Sequence, residues 1–242
     1  DTGVLEEIVA LLAQALPTVG IEPRVYCTEA GGVVADRLSR SGVDVTIGDG
    51  HAERCAAWAK RAGVDVASTH FVPIDVSRGL AEIGLPIVDT VHNTYAWLSE
   101  AGWAEERERG ALVRGVVAVS RTAGAYWSAR AGRPVHAVVP NGVNPGRAAR
   151  VPRPFARAVL GVEEEIPLAV AVGRMTRQKN PEGLLRAFAA ALGSVPEARL
   201  LLVGPDDRTA PISALRARHR PLFEGGRVRW LGPRSDVGLV LS

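Results

Sequence analysis

Short apolar runs rich in β-branched residues alternate along this chain with longer stretches rich in Ala and Leu. The short runs have the length of strands that are buried on both faces, and the longer stretches place apolar residues at helical spacing. Such alternation predicts an α/β fold built on parallel sheets. The predicted strands are 23–27, 43–47, 64–69, 85–91, 115–119, 135–139, 167–172, 199–203 and 228–231. The predicted helices are 4–16, 33–40, 53–62, 121–131, a helix that begins at Asn180-Pro181-Glu182, and 212–220.

Two of the predicted helices have recognisable first residues. Ser120 precedes 121–131 as an N-cap, because its side-chain oxygen can accept a hydrogen bond from the first turn. Asn180, Pro181 and Glu182 provide an N-cap, a proline suited to the first turn and an early acid on the helix dipole. These signals indicate where the two helices begin.

The composition of the chain changes at Asn144. Residues 144–154 are rich in Pro, Gly, Arg and Ala and lack a periodic apolar pattern, as expected of a connection between domains. The predicted organisation is an N-terminal Rossmann-like domain at 1–143, a linker at 144–166 and a C-terminal Rossmann-like domain at 167–242. The second domain has only three predicted strands, and the chain opens on a helix and stops at Ser242. We therefore expect a sequence that is truncated at both ends, with an incomplete second domain.

The charge of the chain is modest for its 242 residues, with a formal net value of +3. Arginine supplies nearly all the positive charge, since Lys60 and Lys179 are the only lysines. No basic run with interleaved aromatic residues occurs, so nucleic acid is not a predicted partner. The cluster of Arg107, Arg109 and Arg114 favours a solvated helix face, and contact with a membrane surface is the alternative.

Several absences limit the possible chemistry. No apolar run reaches the ~18 residues of a membrane span, no signal peptide is visible, and the two cysteines, Cys27 and Cys55, form neither a disulfide scaffold nor a metal motif. A cytoplasmic protein is therefore predicted. The sequence contains no Walker loop, Gly-x-Gly-x-x-Gly, Asp-x-Asp or Gly-x-Ser-x-Gly motif, which disfavours ATPases, dehydrogenases, metal-dependent transferases and hydrolases. His51, His70, His136 and His219 lack metal-ligand spacing, and no bound metal is expected. No cofactor is expected either.

The sharpest local signal follows the predicted strand 167–172. Ligands of open parallel sheets bind at the carboxyl ends of strands, and Gly173 allows the backbone to approach one closely. Arg174 offers a planar fork of donors, Lys179 a compact charge, and the helix start at Asn180 free N–H groups. Two interpretations are open: a cradle for a diphosphate, and an ordinary βα loop with surface cations.

His92 is the second candidate for chemistry, because it directly follows the predicted strand 85–91. A histidine at the carboxyl end of a strand can hydrogen-bond a substrate or move a proton, and it can equally cap the strand end against a backbone carbonyl. Trp97 and Trp103 lie nearby in sequence and either line an acceptor site or belong to the core. The turn at Pro140-Asn141-Gly142 predicts a left-handed backbone at Gly142.

Short motifs in a characteristic order extend along nearly the whole chain. They are Thr2-Gly3-Val4-Leu5-Glu6, Val91-His92-Asn93, Val117-Ala118-Val119-Ser120, Val139-Pro140-Asn141-Gly142-Val143-Asn144, Gly173-Arg174 with Lys179, Leu202-Val203-Gly204-Pro205 and Trp230-Leu231-Gly232-Pro233-Arg234-Ser235-Asp236. In this order and spacing the chain resembles the retaining family 4 glycosyltransferases of the GT-B fold. It departs from them at Asn144, where aspartate is usual, and at the family's paired glutamates, which would follow Ser242.

The resemblance implies two Rossmann-like domains that face each other across a cleft and a sugar that is transferred from a UDP- or GDP-linked donor with retention of configuration and without a metal. The implied catalytic residues are His92, Arg174 and Lys179. The implied donor-binding residues are Gly3, Asn141, Gly142, Gly173, Arg174, Lys179, Asn180, Gly204, Pro205, Arg234 and Asp236. The acceptor is a small molecule, a glycan or a lipid. Two alternatives are a non-catalytic module that binds a sugar nucleotide and a GT-B-fold sugar-nucleotide epimerase.

Overall fold

The structure, a computed structural model, describes residues 4–148 and 151–242. The chain divides into two compact units, Asp1–Val143 and Asn144–Ser242. Both are α/β units in which every strand pair is parallel, so the predicted fold class is confirmed.

The first unit contains a two-stranded sheet and a four-stranded sheet. Its strands are β1 (Arg24–Cys27), β2 (Asp44–Ile47), β3 (Ala67–Thr69), β4 (Ile87–Val91), β5 (Gly115–Ala118) and β6 (Ala137–Val138). Its helices are α1 (Val4–Ala15), α2 (Val33–Arg40), α3 (Ala52–Arg61), α4 (Ile74–Glu82), α5 (Glu100–Leu112) and α6 (Arg121–Ala131), with a 3₁₀ turn at Leu16–Val19. Strands β1 and β2 pair with each other, and β3, β4, β5 and β6 lie side by side in chain order.

The second unit has one three-stranded sheet in the order β7, β8, β9. Its strands are β7 (Leu168–Val172), β8 (Arg199–Val203) and β9 (Val228–Gly232). Its helices are α7 (Arg153–Leu160), α8 (Pro181–Ala191), α9 (Ile212–Arg218), α10 (Arg220–Glu224) and α11 (Val237–Val240), with 3₁₀ turns at Pro145–Ala148 and Arg177–Lys179. Helix α7 lies inside 144–166, the segment whose composition predicts a linker, and Leu160 at its end belongs to the same core cluster as Leu201 and Val203 on one of the two buried faces of β8.

The two signalled helix starts have the local geometry that the sequence predicts. The Ser120 hydroxyl accepts a hydrogen bond from the Ala123 amide at 3.1 Å, and α6 begins at the next residue. The Asn180 side chain accepts from the Gly183 amide at 3.0 Å at the start of α8. Helix α4 was not predicted from the sequence, because Ser77 belongs to its buried face and interrupts the apolar pattern.

Arg109 is buried, and the expectation of a solvated helix face is therefore wrong at this position, although Arg107 and Arg114 are exposed. Its guanidinium donates to Glu106 at 3.2 Å, to the Ser77 hydroxyl at 2.7 Å and to the Val72 carbonyl at 2.8 Å. The second oxygen of Glu106 accepts from the Trp127 indole at 2.9 Å. This buried network joins α4, α5 and α6 with hydrogen bonds that compensate for the removal of two charges from water.

Trp103 and Trp127 are almost completely buried in the core around β4 and β5. Trp103 therefore does not line an acceptor site, and the open alternative is decided in favour of the core. Trp97 is exposed. Glu100 and Glu108 form ion pairs with Arg130 and Arg78, respectively.

We expect Arg109→Ala to lower the free energy of unfolding of the first unit by about 3–5 kcal/mol, because Glu106 would stay buried without its cation. Arg107→Ala is the matched control, since Arg107 is an exposed arginine of the same helix, and its effect should stay within about 0.5 kcal/mol. Urea unfolding followed by tryptophan fluorescence measures both. Equal midpoints for the two variants would contradict the structural role of Arg109.

Candidate functional site

The carboxyl ends of β7, β8 and β9 meet at one edge of the second sheet, and a glycine stands at each end. The Gly173 amide donates to the Val203 carbonyl and the Gly204 amide donates to the Gly232 carbonyl, both at 2.8 Å. A Cβ atom on Gly204 would lie 1.9 Å from the Gly173 carbonyl oxygen, and its φ of 142° disfavours any other residue. The backbones at this edge therefore approach each other more closely than side chains allow.

The loop after β7 carries the two predicted cations. Its Met175 amide donates to the Pro205 carbonyl at 3.0 Å, which ties the loop to the end of β8. The Thr176 hydroxyl accepts from the Lys179 amide at 3.3 Å, and Asn180 has a left-handed backbone with φ 49°. The stem of Lys179 lies beside Gly173, since its Cγ would be 4.0 Å from a Cβ built on that glycine.

Arg174 and Lys179 are both exposed. Within residues 4–148 and 151–242, no carboxylate forms an ion pair with either side chain, and neither one donates a hydrogen bond. Arg174 acts at longer range on Asp207, whose pKa is lowered first by hydrogen bonds from Thr209 and more weakly by nearby arginine charge. Two positive charges are thus available to a ligand at the carboxyl edge of this sheet.

The loop after β8 adds residues that the sequence did not single out. Asp206 accepts at 2.8 Å from the amide of Ile212, the first residue of α9, and Asp207 accepts from the Thr209 hydroxyl at 2.6 Å. The Thr209 hydroxyl also accepts from the Arg177 amide at 3.1 Å and so connects this loop with the loop after β7. A sequence signal for this loop existed, because two acidic residues follow Gly204-Pro205 directly after the strand.

Arg234 and Asp236, in the loop after β9, form a bidentate ion pair with distances of 2.7 and 2.5 Å. The pairing raises the pKa of Arg234 and lowers that of Asp236, because each charge stabilises the other. The Trp230 indole donates to the Gly204 carbonyl at 2.9 Å and fixes the end of β8. The structure therefore places all the predicted donor-binding residues from Gly173 to Asp236 at one edge of one sheet.

The carboxyl edge of the four-stranded sheet in the first unit carries His92. It follows β4 directly, is partly buried, and its amide donates to the Tyr95 hydroxyl at 3.1 Å. Asn141 and Gly142 are exposed beyond the end of β6, and Gly142 does not have the left-handed backbone that the turn signal predicts. Gly3 lies outside the described residues. Ser120 is an N-cap and contributes no further contact here.

His92 has an unexpected partner, His70, at the end of the neighbouring strand β3. The distance between His70 Nδ1 and His92 Nε2 is 2.8 Å, and His70 Nε2 lies 3.1 Å from the Ser68 hydroxyl. Burial and the proximity of His92 lower the pKa of His70 to about 4, and burial lowers the pKa of His92. The sequence signal was available, because His70 follows its predicted strand as directly as His92 follows 85–91.

Asp89 is buried beneath this edge, in β4. The Thr69 hydroxyl donates to its Oδ1 at 2.5 Å, and burial raises the pKa of the carboxyl group to about 6 despite that hydrogen bond. No group of three or more His, Cys, Asp or Glu side chains within the described part of the chain is arranged to hold a metal ion. None of the described helices is both long enough and apolar enough to cross a membrane.

Comparison with known proteins identifies a matching family and solved structures of similar fold. The profile described as Glycosyltransferase Family 4 matches residues 5–147, which is more than half of the chain. No curated protein matches the chain by sequence. The crystal structure of Anabaena HepE in complex with UDP is similar over 100% of this chain and 69% of its own, with a TM-score of 0.81 and 16% identity.

Two further crystal structures show the same fold. HepE in complex with UDP-glucose is similar over 100% of this chain and 68% of its own, at a TM-score of 0.81 and 17% identity. WaaG, a glycosyltransferase involved in lipopolysaccharide biosynthesis, is similar over 100% of this chain and 70% of its own, at a TM-score of 0.62 and 15% identity. The α/β architecture with parallel sheets is therefore that of GT-B glycosyltransferase structures.

Two titratable groups at this edge, the partly buried His70 and the buried Asp89, have shifted pKa values that predict pH effects of opposite sign. Between pH 6.5 and 4 the unfolded chain protonates His70 while the folded chain does not, so this term lowers the free energy of unfolding as the pH falls. His70→Asn removes this titrating group. The free energy of unfolding of His70→Asn, measured relative to that of the unsubstituted chain, should therefore rise by up to about 3 kcal/mol when the pH falls from 7 to 4. Urea unfolding at pH 7, 5.5 and 4 measures the difference.

Asp89→Asn provides the companion experiment. The folded chain holds a proton on Asp89 between its ordinary pKa of 3.8 and about 6, so this term lowers the free energy of unfolding as the pH rises through that range. The relative stability of Asp89→Asn should therefore rise by up to about 3 kcal/mol from pH 4 to pH 7. The two variants should show opposite pH dependences of relative stability. If both relative stabilities changed in the same direction with pH, the opposite pKa shifts of His70 and Asp89 would be contradicted.

Proposed function

The chain belongs to glycosyltransferase family 4, and on this premise we propose that it transfers a sugar from a UDP- or GDP-linked donor to an acceptor with retention of configuration. The donor diphosphate binds at the carboxyl edge of β7, β8 and β9. The observation that carries this proposal is the pair of exposed cations, Arg174 and Lys179, beside the glycine backbones that end β7 and β8. UDP and UDP-glucose in the HepE crystal structures support a nucleotide-linked donor.

Electrostatics favours a diphosphate at this place. A cation ~4 Å from a phosphate charge contributes roughly 4 kcal/mol at an effective dielectric constant near 20, before the cost of desolvation. Arg174 can bind two phosphate oxygens through its planar guanidinium, and Lys179 adds a compact charge. The start of α8 contributes less than the sequence suggests, because the Asn180 side chain already accepts from the Gly183 amide. The two side chains therefore provide most of the attraction.

The same charges serve the reaction. When the bond between the anomeric carbon and the diphosphate oxygen breaks, negative charge builds up on the leaving group, and preorganised cations stabilise it. The acceptor hydroxyl attacks the anomeric carbon from the face that the diphosphate leaves, and its proton departs with the diphosphate. Arg174 and Lys179 supply the positive charge that a metal ion supplies in other transferases. His92 contacts the transferring sugar or the acceptor.

The paired residues at the edge have supporting roles in this proposal. Arg234 and Asp236 neutralise each other, so they position the loop after β9 rather than compete for phosphate. The backbone of that loop meets the nucleobase. Gly204 and Pro205 hold the end of β8 against the loop after β7 through the Met175 amide. Asn141 and Gly142 are proposed as further donor contacts from the family resemblance.

We expect Arg174→Ala and Lys179→Ala each to weaken UDP binding at least tenfold in titration calorimetry, because each removes a cation from the diphosphate site. Arg186→Ala is the matched control, since it removes an exposed arginine charge from α8 without touching the edge. Its affinity for UDP should change less than twofold. An Arg174→Ala variant that binds UDP and turns over donor like the unsubstituted protein would contradict the site.

Donor turnover separates the transferase from its alternatives. With donor alone, an epimerase converts the sugar nucleotide, a transferase hydrolyses it slowly, and a non-catalytic module leaves it intact. Loss of Arg174 or Lys179 should reduce turnover by on the order of a hundredfold. Detection of an epimerised sugar nucleotide by NMR would replace the transferase proposal with the epimerase.

We further expect UDP affinity to change less than twofold when EDTA replaces Mg²⁺ in the buffer, because two side-chain cations neutralise the diphosphate. The same titration with Lys179→Ala tests whether a metal can substitute for the missing charge. A loss of binding in EDTA for the unsubstituted chain would show that a metal ion participates.

A further inference from the structure

The strongest unassigned feature is the contact between two imidazoles at the carboxyl edge of the first sheet. His70 Nδ1 and His92 Nε2 are separated by 2.8 Å, while the ring centroids are 5.1 Å apart and the planes are inclined by 42°. This geometry is that of a hydrogen bond between ring nitrogens rather than of stacked rings. His70 Nε2 continues the chain to the Ser68 hydroxyl at 3.1 Å.

We propose that His70 is a positioning residue that holds His92 in a single tautomer and orientation, so that His92 Nδ1 presents a fixed hydrogen-bonding group at this edge. The expected effect of His70 on turnover rests on the proposed function, because it assumes that His92 contacts the sugar or the acceptor. The hydrogen-bonded pair itself is independent of that assumption.

Counting protons shows how the contact couples the tautomer of His92 to that of His70. Two neutral imidazoles that meet through one nitrogen each must share one proton, because two protons would clash and two lone pairs would repel. If His70 donates, His92 carries its own proton on Nδ1, and the Ser68 hydroxyl donates to His70. If His92 donates, its Nδ1 is a bare acceptor, and His70 donates to Ser68. In either arrangement the tautomers of the two rings are coupled, so His92 cannot change its tautomer unless His70 changes with it.

The neutral state of both rings follows from their surroundings. Burial and the neighbouring His92 lower the pKa of His70 to about 4, and burial lowers the pKa of His92. At pH 7 both rings are therefore uncharged, and the contact contains one proton. No carboxylate makes an ion pair with either ring within the described residues.

The backbone around the pair is constrained at both sides. Phe71, which follows His70, and Tyr95, three residues after His92, both have a left-handed backbone with φ 53°, which costs non-glycine residues of order 1 kcal/mol or more each. Their rings contact each other with centroids 5.4 Å apart, and the Tyr95 hydroxyl accepts from the His92 amide at 3.1 Å. The two loops are thus fastened to each other beside the imidazoles, and the folded chain maintains strained backbone where the histidines meet.

NMR of the 242-residue chain labelled with ¹⁵N-histidine tests the pair, because the chain has only five histidines. We expect the two ring nitrogens of His92 to show one protonated and one bare signal at pH 7. In His70→Leu both nitrogens should shift to the averaged values of exchanging tautomers. His70→Asn should restore the original pattern, since its amide can occupy the position of Nδ1 and form the hydrogen bond.

His51→Leu is the matched control, because His51 is exposed and lies outside the pair, and it should leave the His92 signals unchanged. Backbone amide spectra verify that each variant is folded, and His70→Ala takes the place of His70→Leu if His70→Leu does not fold. Unchanged His92 nitrogen signals in a folded His70→Leu would overturn the proposal. So would tautomer averaging in the unsubstituted chain.

Steady-state kinetics tests separately whether His70 affects turnover. His70→Leu should lower kcat for donor turnover about tenfold with a change in donor KM of less than twofold, and His70→Asn should recover most of it. A tautomer change without any change in kcat would refute the positioning role. If the unsubstituted protein turns over no donor, the proposed function fails, and the NMR result still decides whether His70 fixes His92.

Discussion

In the described part of the chain all strands of both units run parallel to their neighbours, and this constraint places His92 and the candidate residues of the second sheet. Parallel pairing forces the strands of a sheet to end at the same edge, so residues that follow different strands become neighbours although they are far apart in sequence. His70 and His92 meet at one such edge, and Gly173, Gly204 and Gly232 at another. Gly204 also lies so close to the Gly173 carbonyl that only a residue without a side chain fits between the ends of β7 and β8.

The charges of the molecule divide into those that have protein partners and those that do not. Arg37 pairs with Glu7, Arg78 with Glu108, and Arg234 with Asp236. In the described part of the chain, Arg174 and Lys179 lack such partners although an acidic loop lies nearby. That nearby carboxylate, Asp207, is engaged by Thr209 instead. Cationic side chains without a carboxylate partner suit an anion site, because a phosphate that binds them displaces water rather than a protein carboxylate.

The polar groups of interest in the first unit lie in or near its interior, whereas Arg174 and Lys179 of the second unit are exposed. Arg109 and Glu106 are buried together, and each of their side-chain nitrogen and carboxylate oxygen atoms has a hydrogen-bond partner, so they connect three helices. His70 is partly buried and Asp89 is buried near the ends of their strands, and the loss of water lowers the pKa of His70 and raises the pKa of Asp89. Both shifts favour the neutral form of the side chain. A neutral imidazole pair at the edge is the outcome, and it gives His92 a defined hydrogen-bonding partner.

The sequence by itself determined the fold class, most strand positions, the helix starts at Ser120 and Asn180, and the family resemblance, because these depend on local periodicity, capping and short motifs. It indicated His92, Arg174 and Lys179 for the same reason, since each directly follows a strand or sits in a short loop. Only the tertiary structure decided that Arg109 and Trp103 are buried, that Gly142 is not left-handed, and that His70 contacts His92. Burial and pairing depend on which elements pack together, and a linear pattern of charged or aromatic residues is the same whether its face meets water or another helix.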